Sequence, residues 1–278
     1  MKKIFLSLAL AISMMASAQV FEVGQLTKLN TPTDTDVKVA GVSADGSYVL
    51  ITNGSNHGLR RYDVATGQTT TITTAAGAGY NVQISNDGQE IVYRETKFDK
   101  QGLRKNDIVR LDLATSKTAT IAKGQRDMIA MANTGANVSV SINDRKIVLN
   151  KNGKDIILAP NGSRESYIWP SVSPDGKKVV YYVGGLGCFV CDINGKNVKS
   201  MGNLLAPQWY DNSTLVGFNS TDDGHTATSG CIVAQSISGA RQVLTQDTMI
   251  AIFPYASAEG KKIAFSDING ATYIINIK

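Results

Sequence analysis

Asp222, Asp223 and His225 are the one stretch of the chain in which a histidine has two carboxylates within three residues. Carboxylate oxygens and an imidazole nitrogen are suitable ligands for a divalent cation, which makes these three a weak candidate metal site. The string Thr221-Asp222-Asp223-Gly224 reads equally as a plain turn, because Asp bonds its own backbone and Gly accepts φ > 0. The other histidine, His57, lies in Asn53-Gly54-Ser55-Asn56-His57-Gly58. Two imidazoles cannot build a site that needs several, and the sequence has no Gly-x-Ser-x-Gly elbow, phosphate-binding glycine loop or His-Glu-x-x-His pair. No catalytic residue and no cofactor is therefore expected. An enzyme built on this chain would have to rely on carboxylates or on a metal held by such a cluster.

The cysteines are Cys188, Cys191 and Cys231. Cys188-Phe189-Val190-Cys191 has the spacing of a redox or zinc pair but falls within a strand, where residues three apart face opposite sides. Cys188 and Cys231 open strands at matching positions in neighbouring repeats. Two readings stand: buried reduced thiols, or a Cys188–Cys231 bridge.

Lys2 and Lys3, the apolar run from Ile4 to Met15, and Ala16-Ser17-Ala18 form the three regions of a secretory signal peptide, with cleavage expected before Gln19. The apolar run is too short to span a membrane as a helix. Residues 1–18 are thus expected to be a signal peptide and 19–278 a single domain, periplasmic or secreted. Without Lys2 and Lys3 the formal charge falls from +5 to +3, too little to argue for nucleic acid or an anionic membrane. A monomer is expected.

Six hairpin-like copies must position these residues. Four are clear: Val42 to Leu50, Ile84 to Val92, Val172 to Val180 and Ala256 to Ala264, each turning on Asp-Gly or Glu-Gly between apolar runs. Two are weaker, Val140 to Val148 and Trp209 to Val216. Taking Ser43, Ser85, Ser141, Ser173, Tyr210 and Ser257 as equivalent, the spacings are 42, 56, 32, 37 and 47 residues. A period of about 40 to 45 residues with four strands each is the signature of propeller blades. The expected fold is all-β, a six-bladed β-propeller with four-stranded antiparallel blades. Each copy continues into a third strand, and five of the six into a polar turn and a fourth strand, including Pro160-Asn161-Gly162 in the third copy. In the last copy the third strand, Thr272 to Ile277, has no successor. Val23 to Leu29 is expected to serve as its fourth strand and close the ring.

Ser173-Pro174-Asp175-Gly176-Lys177-Lys178 reproduces the repeat string of the TolB-type β-propeller, which the copies resemble over nearly the whole mature chain. The resemblance implies the fold and does not by itself imply a function. TolB itself carries an α/β domain before its propeller, whereas only some twenty residues separate Gln19 from the first copy here, so a TolB-like propeller without that domain is expected. Some propellers of this broad type are uronate lyases with a metal held by several histidines, which two histidines cannot reproduce.

In such a meander the Asp-Gly hairpins and the third-to-fourth turns share one face, and the longer loops share the other. His57, the basic loop from Lys97 to Lys105, and Asp222 to His225 fall on the loop-rich face. The segments leading into the first strands add Tyr80, Tyr167, Trp169, Trp209, Phe253 and Tyr255. Varied loops on a rigid scaffold are where propellers bind, and Trp and Tyr are favoured anchors. The expected binding residues are His57, Asp222, Asp223, His225, Trp169, Trp209, Tyr255 and Tyr80. For Trp169 and Trp209, packing between blades remains open beside ligand contact. The expected function is a non-catalytic module that binds a protein, peptide or glycan at the cell envelope. The alternative is a carbohydrate-active lyase or hydrolase using carboxylates or a metal on the same face.

Overall fold

The computed structural model describes residues 19–31, 36–85, 87–125, 138–246 and 248–278; the expected signal peptide lies outside them. Twenty-three strands and no helix make up the described chain. β1 is Val23–Lys28. Blade 1 holds β2 (Lys38–Val42), β3 (Tyr48–Thr52), β4 (Leu59–Asp63) and β5 (Thr69–Thr73). Blade 2 holds β6 (Gln83–Ile84), β7 (Glu90–Phe98), β8 (Arg104–Asp112) and β9 (Thr118–Gln125), and blade 3 holds β10 (Val138–Asn143), β11 (Lys146–Lys151) and β12 (Lys154–Leu158). Blade 4 follows with β13 (Tyr167–Val172), β14 (Lys178–Val183), β15 (Gly187–Asp192) and β16 (Lys199–Gly202). Blade 5 has β17 (Leu205–Trp209), β18 (Thr214–Asp222), β19 (Ala227–Ser236) and β20 (Arg241–Val243), and blade 6 has β21 (Ala251–Ser257), β22 (Lys262–Asp267) and β23 (Thr272–Ile277).

All six sheets are antiparallel. β1 joins blade 6 as its outer strand, with Val23 opposite Ile277 and Lys28 opposite Tyr273, so the ring closes as the sequence predicts. The second strands read as unbroken apolar runs, Val49-Leu50-Ile51, Val179-Val180-Tyr181 and Ile263-Ala264-Phe265, because each lies between two blades and buries both faces. Alternate residues feed alternate seams. Val179 and Tyr181 pack with Ile147 and Leu149 of blade 3, while Val180 packs with Trp209 and Leu215 of blade 5. Comparable clusters fill the seams between blades 1 and 2, 5 and 6, and 6 and 1. On the flank of blade 2 that carries Val92 and Ile108, the described cluster consists of those two residues with Ala122 against them.

Blade 3 departs from expectation. Among the described residues it has three strands, and no fourth follows Pro160-Asn161-Gly162. Only eight residues separate Leu158 from Tyr167, and they are committed elsewhere. Asn161 N donates to Tyr167 Oη at 2.9 Å, Tyr167 Oη to Gly162 O at 3.0 Å, and Tyr181 Oη to Asn161 Oδ1 at 2.7 Å. The turn between β10 and β11 is also tighter than the first hairpins of the other blades, a two-residue turn with Asp144 and Arg145 both left-handed.

The Ser-x-Asp-Gly turns have a shared internal structure. Ser43 Oγ donates to Asp45 Oδ1 (2.7 Å), Ser85 Oγ to Asp87 Oδ1 (2.6 Å) and Ser173 Oγ to Asp175 Oδ1 (2.7 Å). The same seryl oxygens accept the amides of Tyr48, Glu90 and Lys178, so each turn is bound by its own side chains. In blade 6 Glu259 replaces Asp, and Ser257 Oγ instead donates to Ala44 O of blade 1 at 2.6 Å. Gly260 there approaches the blade 1 turn so closely that a Cβ would strike the Asp45 carbonyl and lie 2.6 Å from Gly46 Cα.

The three cysteines are free; Cys188 and Cys191 are buried, and burial pushes both thiols up to about 12. The bridge reading is not realised.

Candidate functional site

Four inner strands share one feature where they enter the ring. Asn81, Trp169, Ala206 and Phe253 each stand four residues before the equivalent points Ser85, Ser173, Tyr210 and Ser257, and each is left-handed, with φ of 52°, 50°, 43° and 50°. In the last three a proline follows at Pro170, Pro207 and Pro254, and the register of the inner strand shifts across the pair. A bulge leaves one residue out of the ladder, and proline has no N–H to leave unpaired there. Left-handed backbone at a bulky residue costs on the order of 1–3 kcal/mol and persists where the surroundings hold it. The bulges turn Trp169, Ala206 and Phe253 to the mouth of the channel, where Asn81 joins them.

There they line a cavity of about 190 Å³. Trp169, Phe253, Tyr80 and Tyr255 supply its aromatic wall, and Lys38, Asn56, Asn81, Gln208 and Ser266 its polar groups. Trp169 meets the Tyr182 ring edge-on at 5.6 Å, and Phe253 leans on Phe218 at 5.0 Å. Tyr80 is held by the buried Arg94, whose guanidinium lies 4.0 Å from the ring centroid, a cation–π contact strengthened by desolvation. The Ala-Gly segment before Tyr80 lies flat on blades 1 and 2; a Cβ at Gly79 would collide with Thr52, and one at Gly77 with Thr96. Lys38 Nζ donates to Gly54 O at 2.6 Å and so ties the wall to the loop beside it. Burial raises the Tyr255 hydroxyl to about 12, with Tyr80 nearby adding to the effect, so it is a neutral donor.

Three of the expected residues therefore meet in one site: Trp169, Tyr80 and Tyr255. Trp209 does not. It is buried in the seam between blades 4 and 5, where its Nε1 donates to Ser171 O at 3.0 Å, so the packing reading holds for it. Tyr167 is likewise wholly buried. His57 is exposed beside the cavity, which its neighbour Asn56 lines. Asp222, Asp223 and His225 sit exposed at the tip of the long β18–β19 hairpin, and the two carboxylates are used by their own turn. Asp222 Oδ1 accepts the Gly224 amide at 2.9 Å, and Asp223 Oδ1 accepts those of His225 and Thr226. Among the described residues no group of three or more His, Cys, Asp or Glu is placed to hold a metal. The β7–β8 hairpin is another projecting arm. Its lysines Lys97 and Lys105 pair with Asp107 and Asp99.

Asn81, Ala206 and Gln208 were not singled out by their sequence, and Phe253 was placed on this face without being counted among the binding residues. A signal was present: an apolar residue, one variable residue and proline recur in Ile168-Trp169-Pro170, Leu205-Ala206-Pro207 and Ile252-Phe253-Pro254. A larger cleft of about 260 Å³ on the opposite face is lined by Asp45, Tyr48, Arg61 and Asp87. Most of its polar groups are already engaged: Asp45 and Asp87 by their turn serines, Tyr48 Oη by Gly88 O at 2.9 Å.

No family model matches the chain, and no curated protein matches its sequence. Solved structures do match. A TolB candidate from Agrobacterium tumefaciens aligns with a TM-score of 0.60 at 15% identity, covering 88% of this chain and 91% of its own. An oligogalacturonate lyase in complex with manganese gives 0.48 at 16% identity over 85% and 76% of the two chains, and an oligogalacturonate lyase from Vibrio parahaemolyticus gives 0.49 at 13% over 84% and 76%. The two lyases align too loosely to bear on this chain. At 15% identity the first likeness is one of architecture, and what it shows is the fold, a six-bladed β-propeller.

Proposed function

We propose that this chain is a binding module of the cell envelope, exported by its N-terminal segment, which holds a protein or peptide ligand at the channel mouth without transforming it. The observation that carries this reading is the convergence of left-handed inner-strand residues on one aromatic cavity. Trp169 and Phe253 are bulky residues kept in a costly conformation at one end of the channel, with Asn81 and Ala206 left-handed beside them, and this supports a surface shaped for contact. Tyr80, Trp169, Phe253 and Tyr255 offer broad amphipathic area with few rotors to freeze, while Asn56, Asn81 and Gln208 can meet peptide groups as donors and acceptors. The lining holds no carboxylate or imidazole, the groups on which the carbohydrate-active reading rests. The projecting β7–β8 and β18–β19 hairpins belong to blades separated by half the ring, and a ligand larger than the cavity would lie between them.

Affinity capture from envelope extract, with wild type and Trp169→Ala side by side, tests the proposal. A polypeptide retained by the wild type and lost from the variant is the expected result. Retention of the same species by both would remove the channel mouth from the account, and turnover of a glycan or uronate by the purified protein would remove the non-catalytic reading.

A further inference from the structure

Among the described residues, blade 3 has an open edge. β12 pairs with β11 on one side and, among the described residues, with nothing on the other. Its hairpin determines which backbone groups face outward. Asn152 and Gly153 form a two-residue turn, left-handed at 53° and 77°, so Lys151 and Lys154 are the hydrogen-bonded pair that flanks it. Alternation along the ladder then leaves Asn150↔Asp155 and Val148↔Ile157 as pairs that exchange no backbone bonds. The N–H and C=O groups of Asp155 and Ile157 accordingly point away from β11. Asn150 Nδ2 donating to Asp155 Oδ1 at 2.7 Å is the side-chain contact that such a close pair permits. Two aliphatic side chains stand beside these open groups on opposite faces of the strand, Ile157 at 71% exposure and Ile156 at 45%.

The other five blades cover this position. β5, β9, β16 and β20 do so from the chain that directly follows, and β1 does so in blade 6 from the far side of the sequence. β1 shows that the ring accepts an outer strand not contiguous with its blade. An uncovered edge with apolar side chains is a template for strand addition.

We infer that blade 3 takes its fourth strand from a second polypeptide, an extended Thr- and aliphatic-rich segment that adds antiparallel to β12. The chemistry of that segment follows β5 and β9, the outer strands of blades 1 and 2; β16 and β20 contain no Thr, and β1 contains one. β5 is Thr-Thr-Thr-Ile-Thr and β9 begins Thr-Ala-Thr-Ile, and Ile72 of β5 packs on the cluster between blades 1 and 2. The incoming strand bonds the free N–H and C=O groups of Asp155 and Ile157, and its aliphatic side chains cover Ile156 and Ile157. This site is separate from the channel mouth and stands whether or not that cavity binds a ligand.

Residue-resolved amide hydrogen exchange on the purified chain tests it, with the capped peptide Thr-Val-Thr-Ile-Thr-Val as probe. The amides of Asp155 and Ile157 are expected to exchange freely in dilute protein and to slow about tenfold or more at millimolar peptide. Ile157→Pro deletes an outward N–H without removing a bond to β11, so it is expected to keep the melting temperature and lose the protection. Ile157→Lys, which leaves the backbone intact and blunts the edge with charge, is expected to lose it as well, and serves if the proline variant is unstable. Protection of both amides in dilute protein without peptide would show that the chain covers its own edge. Protection that grows with protein concentration would make a second copy the occupant. Either result, absence of slowing at millimolar peptide, or equal protection in both variants overturns the inference.

Discussion

On the turn face, Ser43, Ser85 and Ser173 repeat one set of hydrogen bonds, whereas on the loop face Asn81, Trp169, Ala206 and Phe253 share a backbone conformation and no two share a side chain. The turn face also binds blade to blade: Gly260 N donates to Ala44 O at 3.1 Å, Tyr48 Oη to Gly88 O at 2.9 Å and Asp175 N to Asn212 Oδ1 at 2.8 Å. Repetition with lateral bonding is what holding a ring together requires. A common backbone bearing different side chains is what a surface for one particular ligand requires.

If that division is right, the largest loss of stability should come from the turn face and leave binding alone. Gly260→Ala forces a methyl group into the backbone of the blade 1 turn, and a loss of about 3 kcal/mol is expected, read as a lowered urea midpoint. Captured ligand per folded molecule should stay unchanged; a parallel fall in capture would mean that the two faces are coupled.

Trp169→Gly probes the opposite case. Glycine relieves the left-handed backbone, by about 1 kcal/mol, against the packing lost on Tyr182. Capture should fall tenfold or more, as for an anchor worth about 2 kcal/mol, while the melting temperature moves by only a few degrees. Unfolding of this variant would make Trp169 a core residue and return the rim to a purely structural role.

Acid should act on the turn face. The hydrogen bond from the Ser43 hydroxyl, then the Ser47 amide, holds the Asp45 carboxyl below its ordinary 3.8, and Ser85 followed by the Gln89 amide does the same for Asp87. A carboxyl depressed in the folded state stabilises fully above its unfolded pKa and loses that contribution as pH falls through 3.8 toward the lower folded value. The urea midpoint should therefore drop below pH 4, and drop less steeply in the Ser43→Ala, Ser85→Ala double variant. Equal slopes would show that these bonds do not persist in solution.

The smallest effect is expected at the tip of the β18–β19 arm. Replacing Asp222, Asp223 and His225 together by Ala should reduce capture a few-fold and leave the melting temperature unchanged, since exposed tips add little to a blade core. Undiminished capture would place the ligand wholly within the aromatic cavity.

The ring was legible because its devices are local: Asp-Gly after an apolar run specifies a turn whatever surrounds it, and Val23 to Leu29 stands before the first copy as a strand-like segment without the three strands that should precede it. That blade 3 has three strands among the described residues was less plain, although the 32-residue interval from Ser141 to Ser173 is the shortest of the five and leaves little room for a fourth. Gly260 illustrates a limit of another kind. Apart from Glu259 in place of Asp its turn reads like the others, yet Gly46, Gly88 and Gly176 are left-handed whereas Gly260 is required by the nearness of another blade, and nearness is not written in a single repeat. The same holds for the site. Both tryptophans open a hairpin copy, and blades 4 and 5 share the same register break; Trp169 occupies the bulge itself, the place Ala206 holds in blade 5, whereas Trp209 lies beyond it on the paired strand and stays in a seam.

The closure of blade 6 by β1 also sets an order of events. Val23 to Lys28 can find their partners only once Thr272 to Ile277 exist, so the contacts that seal the ring have the greatest sequence separation in the chain. Bringing such distant segments together is the slow kind of step in folding, because the entropy of a long loop is lost before any contact compensates for it. Until that step, the first strand and the last blade each present an unpaired edge. The interval before closure is therefore when the chain is most exposed to misassembly, and anything that shields the first strand during that interval sets the yield of finished rings.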